Sequence, residues 1–175
     1  MCADPERQHD LLWRHICALR ETQFSKDAII VLGLECNLGF EAHHILRGLQ
    51  RRGLSNYCAL HEGAGGQLGI LTTNNSKEAM CIATNDLLAE NHLAFAPDFV
   101  SVGQGEKEMM KQLADELRHF MIHVEPSRSI FNDARKTYSG KASGRQDDLC
   151  IALQLAVLTI QMWTKHAKYR NYQVG

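Results

Sequence analysis

The sequence lacks an excess of charge of either sign. It has 19 Lys and Arg against 20 Asp and Glu, a formal net charge of −1. A balanced chain has no global attraction for a polyanion, so any contact with nucleic acid must come from a local basic cluster. Long apolar runs are also lacking, since no stretch approaches the ~20 residues of a membrane span. The first ten residues, MCADPERQHD, do not have the pattern of a secretory signal. We therefore expect an intracellular, soluble protein with no membrane partner.

The cysteines lack the spacing of a metal or redox motif. They are at positions 2, 17, 36, 58, 81 and 150, and no two form a Cys-x-x-Cys pair. Most lie in apolar patterns, which predicts buried free thiols in a reducing compartment. Five side chains could supply zinc ligands: His43, His44, His61, Cys36 and Cys58. Their spacings match no familiar zinc pattern, so we favour surface histidines and core thiols.

A phosphate-binding loop of the form GxxxxGK[ST] is missing as well. The segment SGKAS, at positions 139–143, has the Gly-Lys pair but neither the preceding glycine nor the following Ser or Thr. We therefore expect that this chain does not hydrolyse ATP.

The remaining composition is that of an ordinary α/β protein. The chain has 175 residues, 45% of them apolar, which is typical of one soluble domain. The near-continuous apolar run DAIIVLGLEC predicts a central parallel strand, and helical patterns alternate with strands along the chain. Residues 126–146 are polar and glycine-bearing, which predicts a mobile basic loop. The last helix, from about Asp147 to about Lys165, is apolar nearly all round and is expected to be deeply packed.

Glu35 is an exception in the apolar strand, because it stands at the strand's C-terminal end. Sheets of α/β proteins form their sites at these ends, so a carboxylate there is a candidate ligand or catalytic group. A strand-end glutamate that simply reaches water remains the alternative. Asn37, two residues further on, is placed to line the same site.

Asp147 and Asp148 stand side by side at the start of the last helix. One aspartate is enough to cap a helix and to interact with its dipole. Two adjacent carboxylates repel each other unless a positive charge lies beside them. A divalent cation would supply that charge, and carboxylate oxygens suit Mg²⁺ or Mn²⁺. Capping remains the alternative interpretation.

Three stretches occur together in a recognisable order: IIVLGLECNLG, LGILTTNNSKEAMCIATNDLLAENHLAF and YSGKASGRQDDLCIALQLAVL. They comprise a strand ending in an acidic residue, a Gly–Thr–Thr segment with a Ser-Lys helix start, and an acidic pair before an apolar helix. In this order the sequence resembles the C-terminal nuclease domain of viral DNA-packaging terminase large subunits, from tailed phages and herpesvirus-like viruses. The resemblance spans roughly residues 27–163.

The resemblance implies a ribonuclease H-like fold, a mixed sheet flanked by helices. It implies a metal-dependent endonuclease domain that cuts concatemeric viral DNA during genome packaging. Glu35 and Asp148 match acidic ligands of a two-metal Mg²⁺ or Mn²⁺ site, and Asp147 matches a neighbour that assists. In such sites a metal-bound water attacks the phosphodiester.

One part of the family pattern is absent from the sequence. The family's nuclease begins with a strand that bears the first catalytic Asp, and no such strand precedes residue 5. We therefore expect a fold that is incomplete on its N-terminal side and poorly active as an isolated chain. The missing strands and the ATPase motor would then be on another chain. Portal or other packaging proteins are the further expected partners, in the cytoplasm or nucleus of an infected host cell.

Basic residues precede the aspartate pair inside the predicted loop. A basic loop beside acidic ligands offsets phosphate repulsion without reading sequence. These residues, expected to contact double-stranded DNA, are Arg135, Lys136, Lys141 and Arg145.

Two other functions remain open. The chain could be a different ribonuclease H-like nuclease, such as a junction resolvase, which a preference for branched DNA would distinguish. It could also be a non-catalytic fragment that serves as a partner-binding module. Such a fragment should show no Mn²⁺-induced rise in thermal stability.

Overall fold

The computed structural model describes seven ranges of the chain: 5–22, 28–37, 41–62, 67–93, 104–125, 135–140 and 146–165. Where the sequence predicts a single domain, the chain divides into two compact units. The first comprises Met1–Thr72 with Thr159–Gly175, and the second comprises Thr73–Leu158. Glu35 thus belongs to the first unit, whereas the aspartate pair belongs to the second.

Two helices of the first unit, α1 (Pro5–Thr22) and α2 (Glu41–Arg51), pack against each other. The sequence predicts that Leu12, Ile16 and Leu19 fall on one face of α1. Ile16 is buried in the core and Leu12 packs against that core, whereas Leu19 is 46% exposed. His9 of α1 is also buried, and its ring lies against Gly48 of α2.

The strands of the first unit are short. Strand β1 (Ile30–Leu32) pairs in parallel with β2 (Tyr57–Ala59), so the predicted parallel strand is present. Strands β3 (His61–Glu62) and β4 (Gln67–Leu68) form an antiparallel pair. Apolar side chains from these helices and strands form one core cluster: Ile16, Leu32, Cys36, Ala42, Leu49, Leu54, Tyr57, Ala59 and Leu68.

Helix α3 (Asn74–Ala89) opens the second unit with a capping box. The Thr73 hydroxyl accepts the Ser76 backbone N–H at 3.2 Å, and the Ser76 hydroxyl accepts the Thr73 N–H at 2.7 Å. The sequence predicts Asn75 or Ser76 as the cap, which is wrong by two or three positions. Thr73 caps instead because the reciprocal pair satisfies two backbone donors.

Helix α4 (Gln104–His119) follows, then strands β5 (Met121–Glu125) and β6 (Arg135–Ser139), which pair antiparallel. Strand β6 lies within residues 126–146, so the loop prediction is wrong for these five residues. The physical reason is that β6 pairs along its whole length with β5 and buries Tyr138. The strand predicted in LAFAP falls largely outside the described residues.

The last helix, α5 (Asp148–Lys165), begins one residue after its predicted start. Cys150, Leu155 and Val157 are buried, as expected of a packed helix, but Ile160 is 60% exposed. No helix within the described ranges combines the length and apolar character needed to cross a bilayer. The chain is therefore a mixed α/β protein, and its described strands form three two-stranded sheets.

Candidate functional site

Glu35 lies three residues beyond β1, where the chain moves from β2 to a new partner. The backbone N–H of Ile70 donates to the Leu34 carbonyl at 2.6 Å, and the Cys36 N–H donates to the Ile70 carbonyl at 3.0 Å. These bonds form a parallel bridge between Glu35 and Ile70. Cys36 and Ile70 are each 1% exposed, whereas the Glu35 side chain is exposed. The alternation of an extended backbone thus turns this carboxylate towards solvent.

Two side chains hold the Glu35 carboxylate from one side. The Asn37 amide donates to its Oε1 at 2.6 Å, and the Thr72 hydroxyl donates to the same oxygen. The Thr72 backbone N–H donates to the Asn37 Oδ1 at 2.9 Å, which fixes the orientation of the amide. Within the described residues, no donor to the other carboxylate oxygen is present. The arrangement therefore orients a hard oxygen ligand.

Gly69 allows the two backbone segments of the Glu35–Ile70 bridge to approach each other closely. Its φ is +96°, and a Cβ there would lie 2.7 Å from the Leu34 carbonyl oxygen and 2.9 Å from the Cys36 Cβ. Any other residue would meet backbone that cannot move aside and would adopt a strained conformation. Glycine at this position is thus required for the approach that aligns Thr72 with Glu35.

Asp147 is used inside the second unit. It is 3% exposed, and its Oδ2 accepts hydrogen bonds from the Ser139 hydroxyl and the Gly140 N–H, both at 3.1 Å. Its backbone carbonyl accepts the Ile151 N–H at 2.9 Å, as the N-cap residue of α5 does. The carboxylate therefore ties the start of α5 to the end of β6.

Asp148, in contrast, is exposed in the first turn of α5. The two neighbouring carboxylates thus have different surroundings, one buried among donors and the other facing solvent. Their repulsion is limited in this way without an ion between them. Asp148 is the member of the pair that solvent ions can reach.

Glu116 is the residue of this region that sequence reasoning missed. It is 4% exposed, and its Oε2 accepts the backbone N–H groups of Leu149 at 2.8 Å and Cys150 at 2.9 Å. Gln112, one turn earlier in α4, donates to its Oε1 at 2.8 Å. The first turn of α5 is therefore capped from α4, which leaves the Asp147 side chain for β6.

Of the predicted DNA-binding residues, Lys136 is the one whose side chain the structure describes. Its Nζ lies 3.4 Å from the Glu78 carboxylate, and both side chains are substantially exposed. Glu78 also accepts a hydrogen bond from Tyr138, which lowers the pKa of Glu78 and raises the pKa of Tyr138 to about 12. Arg135 is the first residue of β6, and Lys141 and Arg145 lie outside the described residues.

The five candidate zinc ligands do not form a coordination site in the described part of the chain. Cys36 and Cys58 are buried free thiols, His43 and His44 are exposed in α2, and His61 lies in β3. Burial raises the pKa of the Cys58 thiol, which disfavours the thiolate that metals bind. Over the ranges that the structure describes, no three His, Cys, Asp or Glu side chains gather in a metal-holding arrangement.

The predicted ligands therefore divide into two local arrangements. Glu35, with Asn37 and Thr72, forms an oxygen-rich cluster in the first unit. Asp148 is exposed at the start of α5 in the second unit, where Asp147 is buried. Comparison of the chain with protein-family models, curated proteins and solved structures finds no match.

Proposed function

We propose that this chain is a ribonuclease H-like, metal-dependent endonuclease domain of the kind found in viral DNA-packaging terminases. Its substrate would be concatemeric double-stranded DNA. The observation that supports the proposal most is the oriented Glu35 carboxylate at the end of a parallel strand pair. A carboxylate in this position suits Mg²⁺ or Mn²⁺, and Asn37 lines the site by orienting that carboxylate.

Asp148 would be the ligand from the aspartate pair. It is exposed in the first turn of α5, whereas the Asp147 carboxylate already accepts hydrogen bonds from Ser139 and Gly140. Asp147 would then act on ion binding at Asp148 indirectly, by fixing where α5 begins. The metal, once bound, would supply a water of lowered pKa and offset charge on the phosphodiester.

The basic residues of β6 and the segment after it would contact DNA phosphates. Such contacts add affinity and carry no sequence information. The Glu78 carboxylate offsets part of the Lys136 charge, so this lysine should contribute less than an unpaired one.

Metal binding is tested by the rise in thermal unfolding temperature when Mn²⁺ is added. At 100 times the dissociation constant a bound ion stabilises by about 2.7 kcal/mol, which is several degrees for a chain of this size. Glu35→Gln and Asp148→Asn should each reduce the rise, whereas Glu21→Gln, an exposed glutamate of α1, should not. An unchanged rise in both variants would exclude these residues as ligands.

Cleavage is tested by plasmid nicking in the presence of Mn²⁺. The isolated chain is expected to nick only slowly, and Glu35→Ala should abolish that remaining activity. A four-way junction offered in competition with linear duplex separates a packaging nuclease from a junction resolvase. Preference for the junction would support the resolvase, and equal cutting of both would support the proposed function.

A non-catalytic partner-binding module is the second candidate. It is favoured by the structural use of Asp147 and by two exposed apolar side chains of β5, Ile122 and Val124. A module of this kind predicts no Mn²⁺-induced rise in thermal stability, and this measurement distinguishes it from a nuclease domain that cuts poorly as an isolated chain.

A further inference from the structure

Two cysteines from different helices of the second unit share one hydrogen-bond donor. The amide nitrogen of Gln154 lies 3.5 Å from the Sγ of Cys81, in α3, and 3.4 Å from the Sγ of Cys150, in α5. Because one nitrogen contacts both sulfurs, their separation is at most the sum of these two contacts. Both thiols are free.

The shared donor is itself buried. Gln154 is 3% exposed, and its Oε1 has no hydrogen-bond partner among the described residues. A buried amide oxygen without a partner costs free energy that an apolar side chain would not. The two sulfurs are thus held beside a polar group rather than in a purely apolar contact.

The two thiols differ in their access to solvent. Cys81 is partly exposed, whereas Cys150 is fully buried. An oxidant from solvent therefore reaches Cys81 first, and Cys150 is the neighbouring thiol placed to react with the oxidised product.

We propose that Cys81 and Cys150 form a dithiol that hydroperoxides convert to a disulfide. The Cys81 thiolate attacks the peroxide, the O–O bond breaks, and a sulfenic acid forms as the alcohol leaves, or water when the oxidant is hydrogen peroxide. The Cys150 thiolate then attacks the Cys81 sulfur, and the S–S bond forms as the hydroxyl leaves as water. Two thiols are oxidised and one peroxide is reduced.

Cys81 is the thiol that attacks the peroxide. Burial raises the pKa of the Cys81 thiol, and the Gln154 hydrogen bond and the Lys77 charge partly offset this effect. Because the thiolate is the reacting form, the attack on peroxide should be faster at alkaline than at neutral pH.

The disulfide would join α3 to the first turn of α5. Cys150 follows Asp147 and Asp148 by only a few residues, so oxidation would fix the region of the candidate ligand. The proposal does not depend on the nuclease function, because it requires only these two thiols.

The test is peptide mapping of the full chain after treatment with hydrogen peroxide and alkylation of the remaining thiols. The expected product is a peptide pair joined through Cys81 and Cys150, lighter than the separate peptides by two hydrogen atoms. A principal disulfide between other cysteines would overturn the proposal. Oxidation of Cys81 to a sulfinic acid while Cys150 stays alkylable would overturn it too.

Two cysteine variants provide a further test of which thiols form the disulfide. Cys81→Ser should abolish the linked peptide, and Cys17→Ser, at another partly exposed cysteine, should leave it unchanged. If Cys81→Ser does not fold, the map of the unaltered chain still decides. Loss of the Cys81–Cys150 linkage in Cys17→Ser would contradict the assignment.

Discussion

At the scale of single residues, adjacent side chains of like charge have separate tasks. Asp147 is buried and accepts hydrogen bonds from β6, whereas Asp148 is exposed. Removing the charge of Asp147 should therefore affect folding first, and removing that of Asp148 should affect ion binding first. Unfolding and Mn²⁺ titration of the two Asp→Asn variants separate these effects. The assignment would be reversed if Asp147→Asn lost Mn²⁺ binding at unchanged stability.

Gly48 in α2 gives a second prediction at this scale. Alanine in a helix usually stabilises by up to about 1 kcal/mol relative to glycine. Here the added Cβ would lie 2.3 Å from the His9 Nδ1. Overpacking should reverse the sign and cost about 1–3 kcal/mol, measured by urea unfolding.

The matched control for Gly48→Ala is the double variant with His9→Ala. His9→Ala removes the imidazole ring that the new Cβ would overlap. The loss of unfolding free energy caused by Gly48→Ala should therefore shrink or change sign in the His9→Ala background. Equal costs in both backgrounds would show that the His9 ring moves aside freely.

Tyr138 gives a prediction about alkaline pH. Its hydrogen bond to Glu78 raises its pKa to about 12, above the ordinary value of 10.0 that applies in the unfolded chain. The stabilisation is therefore fully present below pH 10 and is lost as the pH rises from there to about 12. Tyr138→Phe should flatten the dependence of the urea midpoint on pH in this range. A parallel fall in the variant would assign the effect to other groups.

At the scale of elements, helix α5 is capped by another helix. The Glu116 carboxylate accepts two backbone N–H groups of its first turn. Glu116→Ala should leave these donors without a partner and cost about 2 kcal/mol. Glu116→Gln should cost less, because the amide oxygen can still accept. Glu108→Gln, at an exposed position of α4, is the control and should be near neutral in urea unfolding.

At the scale of the whole molecule, the net charge of −1 makes any DNA contact a local matter. Lys136 lies 3.4 Å from the carboxylate of Glu78, so Glu78→Gln should strengthen DNA binding by releasing that lysine. Lys136→Gln should weaken it and lower the salt slope by about one unit or less. Fluorescence anisotropy over a salt series measures both. Weaker binding by Glu78→Gln would contradict the role of Lys136.

Sequence patterns alone predicted the features that depend on neighbours along the chain. The apolar run before Glu35 predicted a parallel strand, and β1 is one. The apolar period after the aspartate pair placed α5 within one residue of its observed start. Such features follow from local periodicity and from polar residues at the ends of apolar runs, both visible in a few consecutive positions.

Only the tertiary structure decided which carboxylate does what. Glu116 caps a helix that begins more than 30 positions later. Asp147 is buried against β6, and Glu78 of α3 pairs with Lys136 of β6. Strand β6 itself exists because β5 pairs with it, although its own residues are polar. These outcomes depend on which donors and acceptors meet across large sequence separations, and on burial, which a hydrogen bond must offset. Neither quantity is encoded in the spacing of neighbouring residues.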